Sequence, residues 1–321
     1  MRKFALLALV LALTGCSATT PAPAITPVDH KICALSDASG FNDDGLNRFV
    51  YAALQQLKVQ TGSTIQATEV GAGASAAKSL DQFVKSGCAV ILTAGDSLIP
   101  AAVKVADANP FVQFVAVNNK LADYTNQSST NLQSVAFNMS QAAFAAGFLA
   151  ADVAASGPLQ EQRILVLDKI HTAVSAKSSK AFTLGVARFN ALNAKSVQVS
   201  SASADDGSAI IFAIAGNSSE LGVLVSNSSQ LPRYYIGFGR DWYADARNKN
   251  LRNQILTSVV RVDPVSRIVE AVVSPNGALD YNLANSGVGL AATHGFTLPA
   301  NFESELKRIA QDFANGNIRI G

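Results

Sequence analysis

Histidine and charged residues are scarce in this chain of 321 residues, and their scarcity limits the chemistry that the chain can perform. Only three histidines occur, His30, His171 and His294, and none stands at metal-ligand spacing from another. The sequence also lacks a GxSxG elbow, an HExxH motif and a Walker loop. We therefore predict a protein that is not an enzyme and that holds neither a metal nor a cofactor.

Neither sign of charge dominates, because 25 basic and 23 acidic residues are interspersed along the chain. The basic runs that follow a phosphate backbone are missing, which argues against nucleic acid as a partner. Hydrophobic residues make up 49% of the chain, so there is ample apolar surface to bury and no indication of disorder. A chain of this length is long for one hydrophobic core, and two lobes are predicted.

The amino terminus has the pattern of a secretory signal. Arg2 and Lys3 precede the apolar run Phe4–Leu13, which is too short to span a bilayer as a helix of about 20 residues. The tetrapeptide LTGC at residues 13–16 resembles a bacterial lipobox, which implies cleavage after Gly15 and acylation of Cys16. The alternative is an ordinary cleaved signal followed by an incidental cysteine.

A tether is predicted to follow the signal. Residues 16–30 are rich in Ala, Thr and Pro and show no apolar periodicity, which is typical of a linker. We therefore predict a signal peptide over residues 1–15, a lipidated tether over 16–30, and a protein held by its lipid on the extracytoplasmic face of a bacterial cell membrane.

The two remaining cysteines, Cys33 and Cys88, lie in apolar runs typical of strands. An extracytoplasmic compartment permits disulfides, so the two residues either form a bridge or remain as separately buried thiols. The sequence leaves both alternatives open.

From Lys31 onward, short β-rich runs alternate with amphipathic segments, the pattern of a parallel sheet covered by helices. The first half predicts strands at Ile32–Ser36, Thr64–Val70, Cys88–Ala94, Val112–Val117 and Leu132–Phe137, with helices at Asn47–Gln60, Ala74–Ser86 and Leu98–Asn109. An Ala-rich helix, Ser140–Ala155, is predicted to be buried on much of its surface.

The alternation then starts again. We predict strands at Arg163–Leu167, Ser196–Ser200, Ile210–Ala213, Tyr234–Phe238 and Ile255–Val260, and helices at Ser178–Leu192 and Pro264–Val273. The fold class is therefore α/β, with two Rossmann-like lobes joined by a hinge. One lobe is expected over residues 31–137 plus about 262–285, and the other over 138–261 plus about 286–321. Ligands of such sheets bind outside the carboxyl ends of the strands, which predicts a cleft between the lobes.

The loop after the first strand carries several polar side chains towards that cleft. Asp37 can accept two sugar hydroxyls, and Asn47 offers both a donor and an acceptor. The same residue types also form turns and helix caps as a matter of course, so a purely structural loop is the alternative. Asp43 and Asp44 lack the spacing of a calcium loop.

The segment DASGFNDDGLN at residues 37–47 resembles the DxGGxxDxSFNQ signature of the basic membrane protein family of nucleoside-binding lipoproteins. Further segments resemble that family in order and spacing: NPFVQFVAVNN, NLQSVAFNMSQAAFAAGFLAADVA, IIFAIAG, YYIGFGRD and ILTSVVRVD. The resemblance covers the chain from about Lys31 to the C-terminus. It implies a type I periplasmic-binding-protein fold and the substrate-binding component of an ABC transporter.

The resemblance also implies ligand contacts. Asp37 and Asn47 match the family's contacting residues, whereas Leu46 stands where the family has an aromatic that stacks on the base. Phe212 occupies the position of the aromatic that covers the other base face. Loss of one ring weakens base stacking, which contributes about 0.5 to 1.5 kcal/mol per aromatic pair, without preventing it.

The sugar-binding positions depart further from the family. Asn118, with Asn119 beside it, replaces an acidic residue, and Gly239 replaces another, with Arg240 and Asp241 as substitutes. Arg261 replaces the family's lysine and can grip a carboxylate or phosphate with two donors, so a more anionic ligand is a further hypothesis.

The predicted function is that of a binding protein. It captures a purine nucleoside or a related compound between its lobes, closes around it, and delivers it to separate permease and ATPase subunits. A monomer is the simpler expectation. The alternative is a cell-surface receptor or adhesin that kept the fold and lost nucleoside binding, which the changes at Leu46, Asn118 and Gly239 would permit.

Overall fold

The computed structural model describes residues 30–43, 45–71, 75–118, 130–156, 163–202, 206–214, 234–275 and 278–321. Several predicted features lie outside the described residues. They are the signal, the tether up to residue 29 with Cys16, Asp44 and Asn119.

Two six-stranded sheets organise the chain. The first sheet has the order β11-β5-β4-β3-β1-β2 and is parallel throughout. Its strands are β1 (Lys31–Ser36), β2 (Thr64–Glu69), β3 (Cys88–Ala94), β4 (Gln113–Asn118), β5 (Leu132–Phe137) and β11 (Leu279–Tyr281). All of these carboxyl ends therefore meet at one edge, and all of the amino ends at the other.

The second sheet has the order β12-β10-β9-β8-β6-β7. Its strands are β6 (Arg163–Asp168), β7 (Gln198–Ser201), β8 (Ile210–Ile214), β9 (Tyr234–Gly239), β10 (Ile255–Arg261) and β12 (Val288–Leu290), and only the β10–β12 pair is antiparallel. The chain thus leaves the first sheet after β5, returns to it at β11, and goes back to the second sheet at β12.

The helices are α1 (Leu46–Thr61), α2 (Ala76–Lys85), α3 (Ile99–Ala108), α4 (Met139–Ser156), α5 (Ala173–Asn193), α6 (Pro264–Val273) and α7 (Phe302–Ala314). Local signals define several of their starts. Ser75 caps α2 by accepting from the backbone N–H of Lys78, and Thr172 forms a capping box with Ser175 at the start of α5. Among the described residues, no helix combines the length and the apolar character that a membrane crossing needs.

Helix α4 packs closely on α5 and contributes to a core that includes strands of both sheets. The close approach depends on two glycines, because a Cβ on Gly147 would lie 2.0 Å from the carbonyl oxygen of Phe182. A Cβ on Gly185 would likewise lie 2.0 Å from the carbonyl oxygen of Phe144. The expectation that α4 is buried on much of its surface is confirmed.

Cys33 and Cys88 form a disulfide between the neighbouring strands β1 and β3, with their Cα atoms 5.9 Å apart. Both residues belong to the apolar layer between the first sheet and helices α2 and α3. The bridge is therefore the alternative that holds, and it ties the centre of the first sheet together.

The predicted strands and helices are confirmed, with element ends shifted by a few residues. The largest shift is in α5, which begins at Ala173 rather than Ser178 because the capping box lies further upstream. Strands β11 and β12 and helix α7 were not predicted.

Candidate functional site

The carboxyl edge of the first sheet brings Asp37 and Asn47 together. The side-chain Nδ2 of Asn47 donates to Asp37 Oδ1 at 2.9 Å and to Asp43 Oδ2 at 2.9 Å. Asp43 in turn accepts the backbone N–H groups of Gly45, Asn47 and Arg48, so it anchors the start of α1. Asp43 therefore caps the helix, as the structural alternative expects, and Asn47 fixes the orientation of Asp37, whose contact with a ligand stays a prediction.

The second oxygen of Asp37 is held close to Gly95. Asp37 Oδ1 also accepts from the backbone N–H of Ser39, whereas Oδ2 accepts no hydrogen bond among the described residues. A Cβ on Gly95 would lie 2.4 Å from this Oδ2, and the φ of Gly95 is +108°. Gly95 thus leaves room for the carboxylate and adopts a backbone conformation that other residues avoid.

Two buried amides at this edge have polar atoms without a protein partner. Asn118 ends β4 and is 1% exposed, and neither its Nδ2 nor its Oδ1 is hydrogen-bonded among the described residues. Asn47 is 2% exposed, and its Oδ1 is likewise without a partner. Buried polar groups are normally hydrogen-bonded, so these three atoms leave a donor and two acceptor groups unused at the carboxyl edge.

Arg261 reaches this edge from the second sheet. It ends β10, and its guanidinium carbon lies 5.8 Å from the ring centre of Phe137 in the first sheet. Burial lowers the pKa of Arg261 to about 10, against the opposing effect of the carboxylates of Asp43 and Asp96. Arg261 is therefore still charged at neutral pH, and its buried Nε has no hydrogen-bond partner among the described residues.

The loop after β9 supplies the other predicted residues of the second sheet. Gly239 ends β9 with a φ of +93°, which explains a glycine at this turn. Asp241 is already engaged, because Oδ2 lies 3.1 Å from Nε2 of His294 and Oδ1 accepts from the backbone N–H of Tyr243. The rings of Tyr243 and His294 stack with centres 3.7 Å apart.

Next to Asp241, Asp245 forms ion pairs with Arg240 and Arg247. Hydrogen bonding from Arg247, followed by the charges of both arginines, lowers the pKa of Asp245 to about 2. Arg240 is therefore held by a carboxylate, which reduces its availability as a substitute for the family's acidic position.

A cavity of about 630 Å³ lies where the loops of the two sheets meet. The first sheet contributes Asn42, Arg48 and Phe49, whereas Arg240, Asp241 and Asp245 come from the loop after β9. Of the predicted contact residues, Asp241 lines this cavity, whereas Asp37, Asn47, Asn118 and Arg261 are not among its lining residues.

Phe212 does not join these residues, which corrects the expectation that its ring covers a ligand. Its side chain is 0% exposed, and its ring stacks on that of Phe182 with centres 4.4 Å apart and planes 8° apart. Phe238 approaches it edge-on at 6.1 Å. The ring is part of the packing between β8 and α5, because an apolar ring at this point is best buried under the long helix.

Leu46 begins α1, is partly buried and packs against the main core. Its contact with a ligand therefore stays a prediction. Sequence reasoning missed Gly95, Asp96, Phe137 and His294, which the fold brings to the same region from separate parts of the chain. No group of three or more His, Cys, Asp or Glu residues within the described ranges is arranged to hold a metal ion.

Comparison with known families gives one match that spans this whole region. The family model Bmp, described as "ABC transporter substrate-binding protein PnrA-like", matches residues 31–318. A comparison with curated proteins finds no match.

Solved structures share the fold at low sequence identity. A solute-binding protein of an ABC transporter system from Aeropyrum pernix has a TM-score of 0.70 and 16% identity, over 90% of this chain and 92% of that chain. Its counterpart from Conexibacter woesei has a TM-score of 0.64 and 17% identity, over 90% and 98%. A carbohydrate transporter solute-binding protein from Agrobacterium radiobacter, in complex with D-arabinose, has a TM-score of 0.53 and 15% identity, over 88% and 99%. The α/β fold is thus that of type I periplasmic binding proteins.

Proposed function

The chain belongs to the Bmp family of PnrA-like ABC transporter substrate-binding proteins, and from this membership we propose that it captures a nucleoside or a related compound between its two sheets. Delivery is to an ABC permease and its ATPase, which are separate chains. The loops at the carboxyl edges of both sheets form the binding site, as is usual for α/β folds.

The observation that carries the proposal is the set of unpaired amide atoms on Asn47 and Asn118. Asn118 offers the two N–H donors of its Nδ2 and the acceptor Oδ1, and Asn47 offers a further acceptor. The edge of a nucleobase presents donors and acceptors side by side, so it can satisfy these atoms in a way that a hydrocarbon cannot. Asp37 Oδ2 is then the acceptor for a ribose hydroxyl, with Asn47 holding the carboxylate in place.

The charge around Arg261 favours a neutral ligand over an anionic one. The carboxylates of Asp43 and Asp96 act on this guanidinium, so an anionic group would have to compete with two charges that are already in place. The earlier hypothesis of a more anionic ligand is therefore the weaker alternative, and a nucleoside is preferred to a nucleotide.

Support for a nucleoside rather than a free sugar comes from the family resemblance of residues 37–47. The structural neighbours include a protein described with bound D-arabinose and another with bound glycerol, so polyols belong among the compounds to be tested. Closure of the two sheets around the ligand follows from contacts that each sheet makes on its own side, with Asp37 and Asn118 on one and Arg261 on the other.

Anchoring completes the proposal. Acylation of Cys16 would hold the protein at the outer face of the cell membrane, with the tether as the flexible link. The binding protein would then stay close to the membrane, so that its effective concentration for the permease is high.

A thermal-shift screen of the chain from Ser17 onward tests the ligand class. The panel contains purine and pyrimidine nucleosides, nucleobases, nucleotides, D-arabinose and glycerol. A ligand at about 100 times its dissociation constant stabilises the folded state by about 2.7 kcal/mol. We expect the nucleosides to raise the melting temperature and the nucleotides to raise it less.

Two variants locate the site. Asp37→Ala should abolish the shift, whereas Asp81→Ala, which removes an exposed carboxylate from α2, should leave it intact. If a polyol shifts the transition and no nucleoside does, the nucleoside claim fails while the binding function stands. If no compound shifts it, the receptor or adhesin alternative is favoured.

A further inference from the structure

Another cavity opens at the edge of the first sheet that the amino ends of its strands share. It has a volume of about 310 Å³ and lies where β4 and β5 begin. Because the first sheet is parallel, this edge is opposite to the one that carries Asp37 and Asn118. Pockets that hold small ligands have volumes of about 300–1,000 Å³, so this cavity can receive a small one. We call it the amino-edge cavity, and its lining residues include Pro110, Phe111, Gln113, Asn131, Gln133 and Pro275.

Three amide side chains line the amino-edge cavity, and two of them have partners. Asn131 Nδ2 donates to three backbone carbonyl oxygens, at 2.7, 2.9 and 3.1 Å. Gln113 Nε2 lies 3.5 Å from the carbonyl oxygen of Val272, in the last turn of α6. Both amides therefore connect the starts of β4 and β5 to neighbouring backbone, which accounts for their presence.

Gln133 carries the third amide, and neither Nε2 nor Oε1 has a hydrogen-bond partner among the described residues. The residue is 4% exposed, so contact with bulk water hardly replaces the missing bonds. An amide offers two N–H donors and an acceptor side by side in one plane. Leaving these groups unpaired in a buried position is unfavourable, and a ligand that pairs with them removes the penalty.

Packing alone does not account for a glutamine at this position. Side chains alternate along a strand, so Gln133 points to the same face of β5 as Val135 and Phe137. Both of these residues are fully buried in the main apolar core. An apolar residue at position 133 would continue the pattern and would leave no polar group unpaired.

The remaining wall of the amino-edge cavity favours a neutral, flat ligand. Within the described residues, no charged side chain lines it, so a charged ligand would lose hydration without gaining a counter-ion. Phe111 is 99% exposed, which leaves its ring free to pack against another ring. Pro110 and Pro275 add apolar surface.

We propose that the amino-edge cavity binds a neutral, planar lactam, a ring in which an N–H stands beside a carbonyl group. The lactam carbonyl accepts from Gln133 Nε2, the lactam N–H donates to Gln133 Oε1, and the ring packs against Phe111. This site is separate from the candidate site at the carboxyl edges, and its occupancy does not depend on the proposed function. The bases of many nucleosides are also lactams, so a test has to distinguish the two sites.

Two probes that differ in a single donor provide the test. The first is 2-pyridone, a lactam, and the second is N-methyl-2-pyridone, which has the same ring and carbonyl group without the N–H. The chain from Ser17 onward, which contains every described element, is labelled with nitrogen-15 in its glutamine side chains. The NMR signal of the Gln133 amide is identified by its absence from Gln133→Met.

We expect 2-pyridone to shift the Gln133 signal in a saturable way. It should bind roughly ten times more tightly than N-methyl-2-pyridone, because the methyl group leaves Gln133 Oε1 without a donor.

Two variants with matched controls locate the site, with probe binding followed by saturation-transfer NMR. Gln133→Met keeps the length of the side chain without its amide and should abolish the preference for 2-pyridone. Gln82→Met changes an exposed glutamine of α2 and should leave that preference intact. Phe111→Ala should weaken binding by a factor of about two to ten, because the ring contact is lost. Leu192→Ala, which truncates an exposed side chain of α5, should have no effect.

Several results would overturn the proposal. They are an unshifted Gln133 signal, equal affinity for the two probes, and binding that survives Gln133→Met. Loss of the Gln133 response in Asp37→Ala would also overturn it, because the probe would then act through the carboxyl edge. The nucleoside claim is decided by the thermal-shift screen, so each of the two proposals can fail while the other stands.

Discussion

Asn118→Leu should make the ligand-free protein more stable and at the same time remove its response to ligand. Asn118 is 1% exposed, and both polar atoms of its amide lack a hydrogen-bond partner among the described residues. Leucine has the same number of non-hydrogen atoms and the same branching, so it fills the site without a polar group. The variant therefore removes an unfavourable burial and a ligand contact in one step.

The size of the expected gain in stability follows from the missing hydrogen bonds of the buried Asn118 amide. An unsatisfied buried polar group costs about 1–3 kcal/mol, so the free energy of unfolding should rise by about that amount. A change of 1 kcal/mol moves the melting temperature by roughly 2–4 °C in a domain of 150–250 residues, so a rise of several degrees is expected. In the presence of the ligand identified by the screen, the further rise seen in the wild type should be absent.

Asn248→Leu is the matched control. Asn248 is also 1% exposed, but its Nδ2 donates to the carbonyl oxygen of Trp242 at 3.0 Å. Replacing it removes this hydrogen bond and leaves the carbonyl oxygen with the backbone N–H of Asp245, at 3.3 Å, as its other donor. This variant should therefore lose about 0.5–1.5 kcal/mol instead of gaining stability. The two changes are chemically identical and should have opposite signs when the free energy of unfolding is measured by urea denaturation. Destabilisation by Asn118→Leu, or a retained ligand response, would refute the reasoning.

Three further predictions concern the fold. Gly147→Ala places a methyl group 2.0 Å from a backbone carbonyl oxygen and should lower the melting temperature by several degrees, whereas Gly71→Ala, which meets nothing within 4 Å, should leave it unchanged. Cys88→Ser opens a disulfide to Cys33 across a separation of 55 residues and should lower the free energy of unfolding by about 4 kcal/mol, as should reduction of the wild type. The pKa of Asp245 is about 2 in the folded state, below its ordinary value, so the stability it contributes is present above about pH 4 and lost as the pH falls towards 2. Melting curves between pH 6 and pH 2 should therefore fall more steeply for the wild type than for Asp245→Asn.

The sequence predicts the repetitive part of the fold well, because the period of buried residues is a local property. The strand Cys88–Ala94, for example, is a short apolar run that the structure places in the middle of the first sheet. Strand β11 is different, since Leu279–Tyr281 has three residues and owes its pairing with β5 to tertiary contacts. No periodicity can be seen in a segment of that length.

The residues of the candidate site likewise divide into those that a sequence motif predicts and those that only the fold brings together. Asp37 and Asn47 stand in a recognisable motif and are found hydrogen-bonded to each other. The pairing of Asp241 with His294 joins residues 53 positions apart, and no local pattern indicates it. Phe212 illustrates the reverse error, because a motif predicts that an aromatic is present but does not determine which side of the sheet its ring packs against.

The central claim is that the carboxyl edges of the two sheets form one ligand site. The most direct test is a crystal structure of the chain with the compound that gives the largest thermal shift. We expect this compound to lie between the two sheets, within hydrogen-bonding distance of the Asn118 amide and Asp37 Oδ2, with Arg261 on the opposite side. A ligand bound elsewhere, with the Asn118 amide still without a partner, would contradict it.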